Sequence, residues 1–331
     1  METIIKPNVG VSENGAPKLS QNINFEKIRN LSKIDLPSFL LCPPFSFNTK
    51  VKNNIWMQEK EDKDLIVDFE LAMAQWMDLY TFLSSNGLVT VLPVPYNCNL
   101  QDLVFTANLG IVLNEENVVI SNFTSKPRKG ETKVGKRFFE LAGYKNVVVS
   151  PYKFEGEADL KYLKNNLYIG YYGIRTEKVT FDWMEEEFNI KIIKIRGSSE
   201  RCYHGDCSCL VLSKSLIMLC TSLYTKKEVQ AIEEHVEIID VPLEFAECGI
   251  TNSIRCHNFI LNSSDIMDLS FIEHGKDFYL ERDKNQFLQD ICVECGLEAV
   301  FINLSEYLKA GAMLSCNVLS LNQFSYQINL I

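Results

Sequence analysis

The feature that most constrains the fold of this 331-residue chain is a rhythm. Five stretches with helical spacing, at about 66–85, 131–143, 177–188, 225–235 and 283–296, recur roughly every fifty to sixty residues. In the first, Ile66, Phe69, Met73, Trp76, Leu79 and Tyr80 fall three or four apart, the stripe of a half-buried helix, and Asn86-Gly87 ends it. Short apolar runs of strand length separate the helices, among them 38–42, 88–94, 103–113, 118–121, 147–150, 167–170, 190–195 and 209–212. Further runs lie at 216–220, 238–241, 259–261 and 300–304. Short strands alternating with helices at a fixed period predict an α/β architecture of repeated supersecondary units. The units do not match residue by residue, so the repeat is one of pattern. No linker rich in Gly, Ser or Pro divides the chain, so residues 36–331 are expected to form a single domain behind a polar arm over residues 1–35.

With 46% hydrophobic and 23% charged residues the chain can bury a large core as a soluble globular protein. A net charge of −10 argues against a nucleic-acid or anionic-membrane partner and fits a cationic small substrate. No window reaches the ~18 consecutive apolar residues of a membrane span, and the first residues carry no signal or transit pattern. The eleven cysteines are then expected as reduced thiols in the cytoplasm.

The chemistry is expected around Arg201-Cys202-Tyr203-His204-Gly205-Asp206-Cys207-Ser208-Cys209. On an extended segment His204 and Asp206 face the same side, one as a proton carrier and the other holding a cation beside it. Cys316 follows the small-residue turn Lys309-Ala310-Gly311-Ala312, and a thiol nucleophile is commonly distant in sequence from its histidine. Cys316 and His204 are therefore expected in one active site. The cysteines around His204 invite a zinc reading, but alternating residues of one strand rarely close a tetrahedron. The expectation is no metal and no cofactor.

Three further groups carry paired readings. In Gln101–Asn108, read as a strand, Asn108 either caps the strand or turns its amide oxygen toward a nitrogen-rich group. In Phe154-Glu155-Gly156-Glu157-Ala158-Asp159 the carboxylates either make a solvated loop or include one, Glu155, that orients a histidine. Arg128, in a basic loop opening a helix, and Arg175 are either solvated or clamps for a substrate carboxylate. A P-loop, a dinucleotide glycine fingerprint and a Gly-x-Ser-x-Gly elbow are absent from the sequence.

Taken together, these motifs resemble the guanidino-group-modifying enzymes: arginine deiminases, dimethylarginine dimethylaminohydrolases, glycine amidinotransferases and arginine dihydrolases. Ser38–Pro44 with Asn53-Asn54-Ile55-Trp56-Met57 looks like that family's opening strand and Asn-x-Trp-Met segment. Asp102–Gly110 resembles its Phe-Thr-x-Asp/Asn motif, Phe154–Asp159 its Glu-Gly-x-Asp motif, and Tyr203–Asp206 its His-x-Asp motif. Gly311–Cys316 is similar to its C-terminal nucleophile segment. The resemblance implies a five-bladed, pseudo-symmetric α/β-propeller of ββαβ-type modules around a polar channel. It implies Cys316 as nucleophile, His204 as proton carrier supported by Glu155, and Asp206 with Asn108 on the guanidino group. Asn54, Arg128, Arg175 and Asp159 are then candidates for the rest of the substrate. An amide at Asn108, where deiminases carry Asp, resembles the arginine dihydrolases, which give ornithine, carbon dioxide and two ammonia. Deiminase or amidinotransferase chemistry on arginine or a modified arginine is the alternative, and a propeller that only binds is the non-enzymatic one.

Overall fold

The computed structural model describes residues 31–96, 98–270 and 272–326, with the backbone of the paired strands Gly10–Val11 and Pro17–Lys18. Most of the expected arm lies outside the described residues. Its last turn, Leu31–Lys33, is a 3-10 helix whose Ser32 hydroxyl donates to the Leu321 carbonyl and bonds the Tyr144 hydroxyl.

Beyond the small pair, the described strands form five three-stranded sheets of one topology. Gly110–Val112 and Asn117–Ile120 pair antiparallel through a tight turn in which Asn114 Oδ1 accepts from the backbone of Glu116 and Asn117. The helix Glu131–Leu141 then crosses over and Asn146–Val149 adds parallel to the middle strand. A hairpin needs only a turn, whereas a parallel pair needs a long crossover, which the helix supplies. Val118, Val119 and Ile120 are all fully buried, as a middle strand covered on both faces requires.

The same order recurs in Leu160–Lys164, Leu167–Tyr172, helix Lys178–Phe188 and Lys191–Arg196. It recurs again in Cys209–Ser213, Leu216–Leu219, helix Lys226–Glu233 and Glu237–Asp240. A further unit is Ile254–Cys256, Phe259–Ser263, helix Gly275–Glu294 and Glu298–Ile302. The remaining unit joins the two ends of the chain. Leu319–Ser320 pairs antiparallel with Ser38–Leu41, and after helix Phe69–Asn86 the strand Leu88–Val91 adds parallel. The carboxyl-terminal strand thus closes the ring, and the fold is the five-module α/β-propeller.

Apolar clusters join neighbouring modules: Leu40, Leu319 and Leu321 of the closing unit pack with Leu103, Val118, Ile120 and Phe139 of the next. Each such side chain contributes roughly 1.5–3 kcal/mol by leaving water.

Four expected elements differ. The stripe expected to begin at Ile66 starts later: Ile66 precedes the helix, it and Phe69 are exposed, and the buried face is Ala72, Gln75, Trp76, Leu79 and Leu83. The run 103–113 is not one strand: Thr106–Asn108 is a 3-10 turn and the strand is confined to Gly110–Val112. The segment around His204 is not extended either. Gly205–Cys207 is a 3-10 turn closed by Cys207 N–H to His204 O and Ser208 N–H to Gly205 O, and the strand begins at Cys209. The helix expected over 283–296 runs from Gly275 to Glu294, and the buried Lys284–Glu281 pair on its inner face interrupts the apolar spacing by which its first turns would be read.

Candidate active site

In each module a tight turn precedes the first strand, and the five turns hold one another at the centre of the ring. Their closing bonds are Asn108 N–H to Phe105 O, Asp159 N–H to Gly156 O, Ser208 N–H to Gly205 O, Asn252 N–H to Gly249 O and Val318 N–H to Ser315 O. The Thr106 hydroxyl lies 2.9 Å from both the Leu40 and Asn317 carbonyls. Gly156 has φ +73° and sits so close to the neighbouring turn that a Cβ there would lie 2.4 Å from the Ala107 carbonyl oxygen. Only glycine fits both demands, and its fit brings Glu155 beside Asn108.

Glu155 and His204 meet at 2.9 Å, Oε2 to Nε2, with both side chains buried. Glu155 Oε1 accepts from the Thr124 amide, and Arg175 Nη1 lies 3.6 Å from Oε2. Burial alone would raise the Glu155 carboxyl, but the bond and charge of His204, with Arg175 and Arg128, hold it down at about 2. Asn108 Nδ2 lies 3.5 Å from the same imidazole nitrogen and 3.4 Å from the Glu155 carbonyl, while its Oδ1 takes no hydrogen bond from the described residues. Glu155 engages Nε2, which leaves Nδ1 as the other ring nitrogen available for proton transfer.

Cys316 lies in the 3-10 turn Ser315–Asn317 and lines a recess together with His204, Asn108, Arg175, Asp102 and Tyr203. The recess is tight, with only about 20 Å³ of free volume, and it opens to solvent. Asp206 Oδ2 lies 4.0 Å from Cys316 Sγ and accepts from the Ser315 hydroxyl at 2.6 Å. Burial first, and the Asp206 carboxylate second, push the Cys316 thiol up to about 12. Such a thiol stays protonated at neutral pH until a cation arrives beside it.

His204 and Asp206 are therefore not neighbours on one strand face: the turn sends the imidazole to Glu155 and the carboxylate to the thiol. Three other expected residues are engaged by the scaffold. Asn54 lines the recess, and its side chain also caps the helix Ile55–Gln58, Oδ1 accepting from Met57 N–H and Nδ2 donating to Ala310 O. Arg128 touches the recess, but its buried guanidinium is forked onto Glu131 at 2.8–3.2 Å and donates to the Asp102 and Phe105 carbonyls. Its charge is thus answered within the chain. Asp159 is turned away from the recess: its carboxylate accepts from Thr176 Oγ1 at 2.6 Å and the Gly205 amide at 3.1 Å, which fixes the turn after His204. Arg175 is different again. It donates to Asn53 O, stacks over Tyr203 and reaches Glu155, tying three walls of the recess together.

Two residues beside the recess escaped the sequence reading. Asp102 is buried in the wall and accepts from Asn53 Nδ2 at 2.6 Å. Asn252 contacts the sulfur, Nδ2 to Sγ 3.5 Å, and accepts from the Ser315 amide at 2.9 Å. The module rhythm contained the signal for Asn252, because the turn before every first strand faces the centre. Among the described residues no three His, Cys, Asp or Glu side chains group as a metal site would require, and all eleven cysteines are free. No helix of the described residues is long and apolar enough to cross a membrane.

A five-module propeller whose central recess brings together a thiol, an imidazole and carboxylates has the plan of the guanidino-group-modifying enzymes, hydrolases of amidine C–N bonds. Residues 43–270 match the family described as N,N-dimethylarginine dimethylhydrolase, eukaryotic, and the chain belongs to that family. It is 27% identical over 288 residues to the bifunctional arginine dihydrolase/ornithine cyclodeaminase AgrE of Nostoc sp., covering 86% of this chain and 38% of that protein. The chain thus spans well under half of that bifunctional relative. It is 25% identical over 284 residues to the N(G),N(G)-dimethylarginine dimethylaminohydrolase of Mycobacterium tuberculosis, covering 86% of this chain and 85% of the other. The crystal structure of the substrate-bound N-terminal domain of ArgZ, a cyanobacterial arginine dihydrolase, superposes with a TM-score of 0.74 at 25% identity. That likeness covers 87% of this chain and 98% of the domain.

Proposed function

We propose that this protein hydrolyses the guanidino group of L-arginine to ornithine, carbon dioxide and two ammonia, with Cys316 as the nucleophile. The observation that carries the reading is the neutral Asn108 amide, its Oδ1 unengaged, in the recess shared by Cys316 and the Glu155–His204 pair. A bound guanidinium packs beside the sulfur with its N–H groups turned toward Asp206, whose Oδ2 lies 4.0 Å from Sγ. Its charge offsets the burial and the Asp206 repulsion that hold the thiol protonated, so substrate binding itself favours the thiolate. The sulfur attacks the guanidinium carbon, His204 gives a proton to the departing ammonia, and the same imidazole then takes one from the water that cleaves the thiouronium adduct.

A dihydrolase must repeat this on the neutral ureido product without releasing it. A carboxylate at position 108 would grip a cation and lose that partner after the first round, whereas an amide serves both. The second attack expels the second ammonia, and hydrolysis leaves an N-carboxylated ornithine that loses carbon dioxide. Two waters are consumed in all. Asp102 with Asn53, and Arg175, stand where the charged end of an amino acid would be met.

Hydrolysis of dimethylarginine is the second reading, favoured by the family match over residues 43–270. Product analysis separates them. Arginine giving ornithine with two ammonia supports the first, and dimethylarginine giving citrulline and dimethylamine, with arginine untouched, replaces it with the second.

A further inference from the structure

We infer that Asn252 is a positioning residue for the nucleophile, and that its side-chain N–H stabilises the Cys316 thiolate in a pocket otherwise hostile to an anion. The inference rests on the reading of Cys316 as the attacking group. The Asn252 amide is fixed in orientation by its own contacts. The backbone N–H of Ser315 can only donate, so the atom 2.9 Å from it is Oδ1, and the atom 3.5 Å from Cys316 Sγ is Nδ2. One amide therefore spans the nucleophile turn: Oδ1 accepts from the Ser315 amide and lies 3.7 Å from Sγ, where the neutral thiol can donate to it, while Nδ2, 3.5 Å from Sγ, is the donor that a thiolate would use. Asn252 is itself buried, at 2% exposure, in the turn that opens the strand Ile254–Cys256.

The groups around the sulfur show why a donor matters. Asp206 is 4.0 Å away, and the Cys207 thiol and Tyr203 hydroxyl lie in the same surroundings. His204 lines the recess with it, and Lys161 acts from farther off. Of these, the Asp206 carboxylate opposes ionisation directly. The bond from Ser315 Oγ to Asp206 Oδ2 draws off part of that charge, and the Asn252 N–H faces the sulfur itself. A hydrogen bond to a charged group contributes about 1.5–3 kcal/mol, enough to change the thiolate fraction by roughly ten- to a hundredfold.

The test is the rate at which iodoacetamide alkylates Cys316 at pH 8, followed by mass spectrometry of the peptide carrying it, which needs no substrate. Asn252→Ala opens space beside the sulfur, so a side chain that merely packs would leave alkylation unchanged or faster. We expect it roughly ten- to a hundredfold slower. Asn252→Asp keeps the acceptor for the Ser315 amide while replacing the donor with an oxygen, and is expected to be at least as slow with its melting temperature retained. Alkylation of Asn252→Asp at the wild-type rate overturns the inference. Loss of arginine turnover has a separate signature: if Cys316→Ser turns over arginine at full rate, the proposed function fails whatever the alkylation rates show.

Discussion

The Glu155 carboxylate lies 2.9 Å from the His204 imidazole, and both side chains are buried. Because the pair holds the Glu155 carboxyl at about 2, well below its ordinary 4.5, ionised Glu155 stabilises the fold. That contribution is complete above pH 4.5 and is lost as pH falls toward 2. Unfolding free energies from urea titrations at pH 6 and pH 2.5 should therefore fall more for the wild type than for Glu155→Gln, by an amount on the order of 2–3 kcal/mol. The same substitution should lower kcat by roughly 10²-fold, since an amide orients the imidazole without supporting its positive charge.

Asp159 has the opposite sign. Burial raises its carboxyl to about 7 against an ordinary 3.8, so the folded chain resists its ionisation. Stability is lost as pH rises from about 4 to 7 and levels off above that. Asp159→Asn keeps an acceptor for the Gly205 amide and removes the titration. Its unfolding midpoint should stay flat over that interval while the wild type declines, which chemical unfolding at pH 4.5 and 7.5 will show.

Gly156→Ala places a methyl group 2.4 Å from the Ala107 carbonyl at φ +73°. The turn must move, at a cost of about 2 kcal/mol or more, and Asn108 and Glu155 separate. Turnover should fall at least tenfold even at temperatures where the variant is folded, measured against its own melting curve.

Asn108→Asp tests the choice between chemistries. Two carboxylates around one guanidinium favour the first hydrolysis and disfavour holding the neutral intermediate. Citrulline should then accumulate from arginine where the wild type is expected to give ornithine, as chromatography of the products over time will reveal.

The helix rhythm was legible because amphipathic spacing survives wherever one helical face meets a sheet, as in Phe69–Asn86 and Lys178–Phe188. The strand Ile254–Cys256 was not, because Arg255 is buried within it and satisfied by the Leu212 and His257 carbonyls, partners that no local pattern announces. Cys316, His204, Asn108 and Glu155 are singled out by residue type, and the structure sets the first three around one recess with Glu155 bonded to His204. Asn54 and Arg128 were marked equally well, yet a helix cap and a fork onto Glu131 engage them. Conversely Asn252 looks like any turn asparagine until the fold sets it against the sulfur. Residue type told what a side chain can do, and only the ring told which partner reaches it first.

The most direct measurement is quantification of ornithine, citrulline and ammonia after purified protein is mixed with L-arginine, beside Cys316→Ser. The expected result is two ammonia per ornithine, little free citrulline, and loss of turnover by more than about 10³-fold in the variant. Arginine left unconsumed by the wild type, or consumed equally well by Cys316→Ser, would contradict the account.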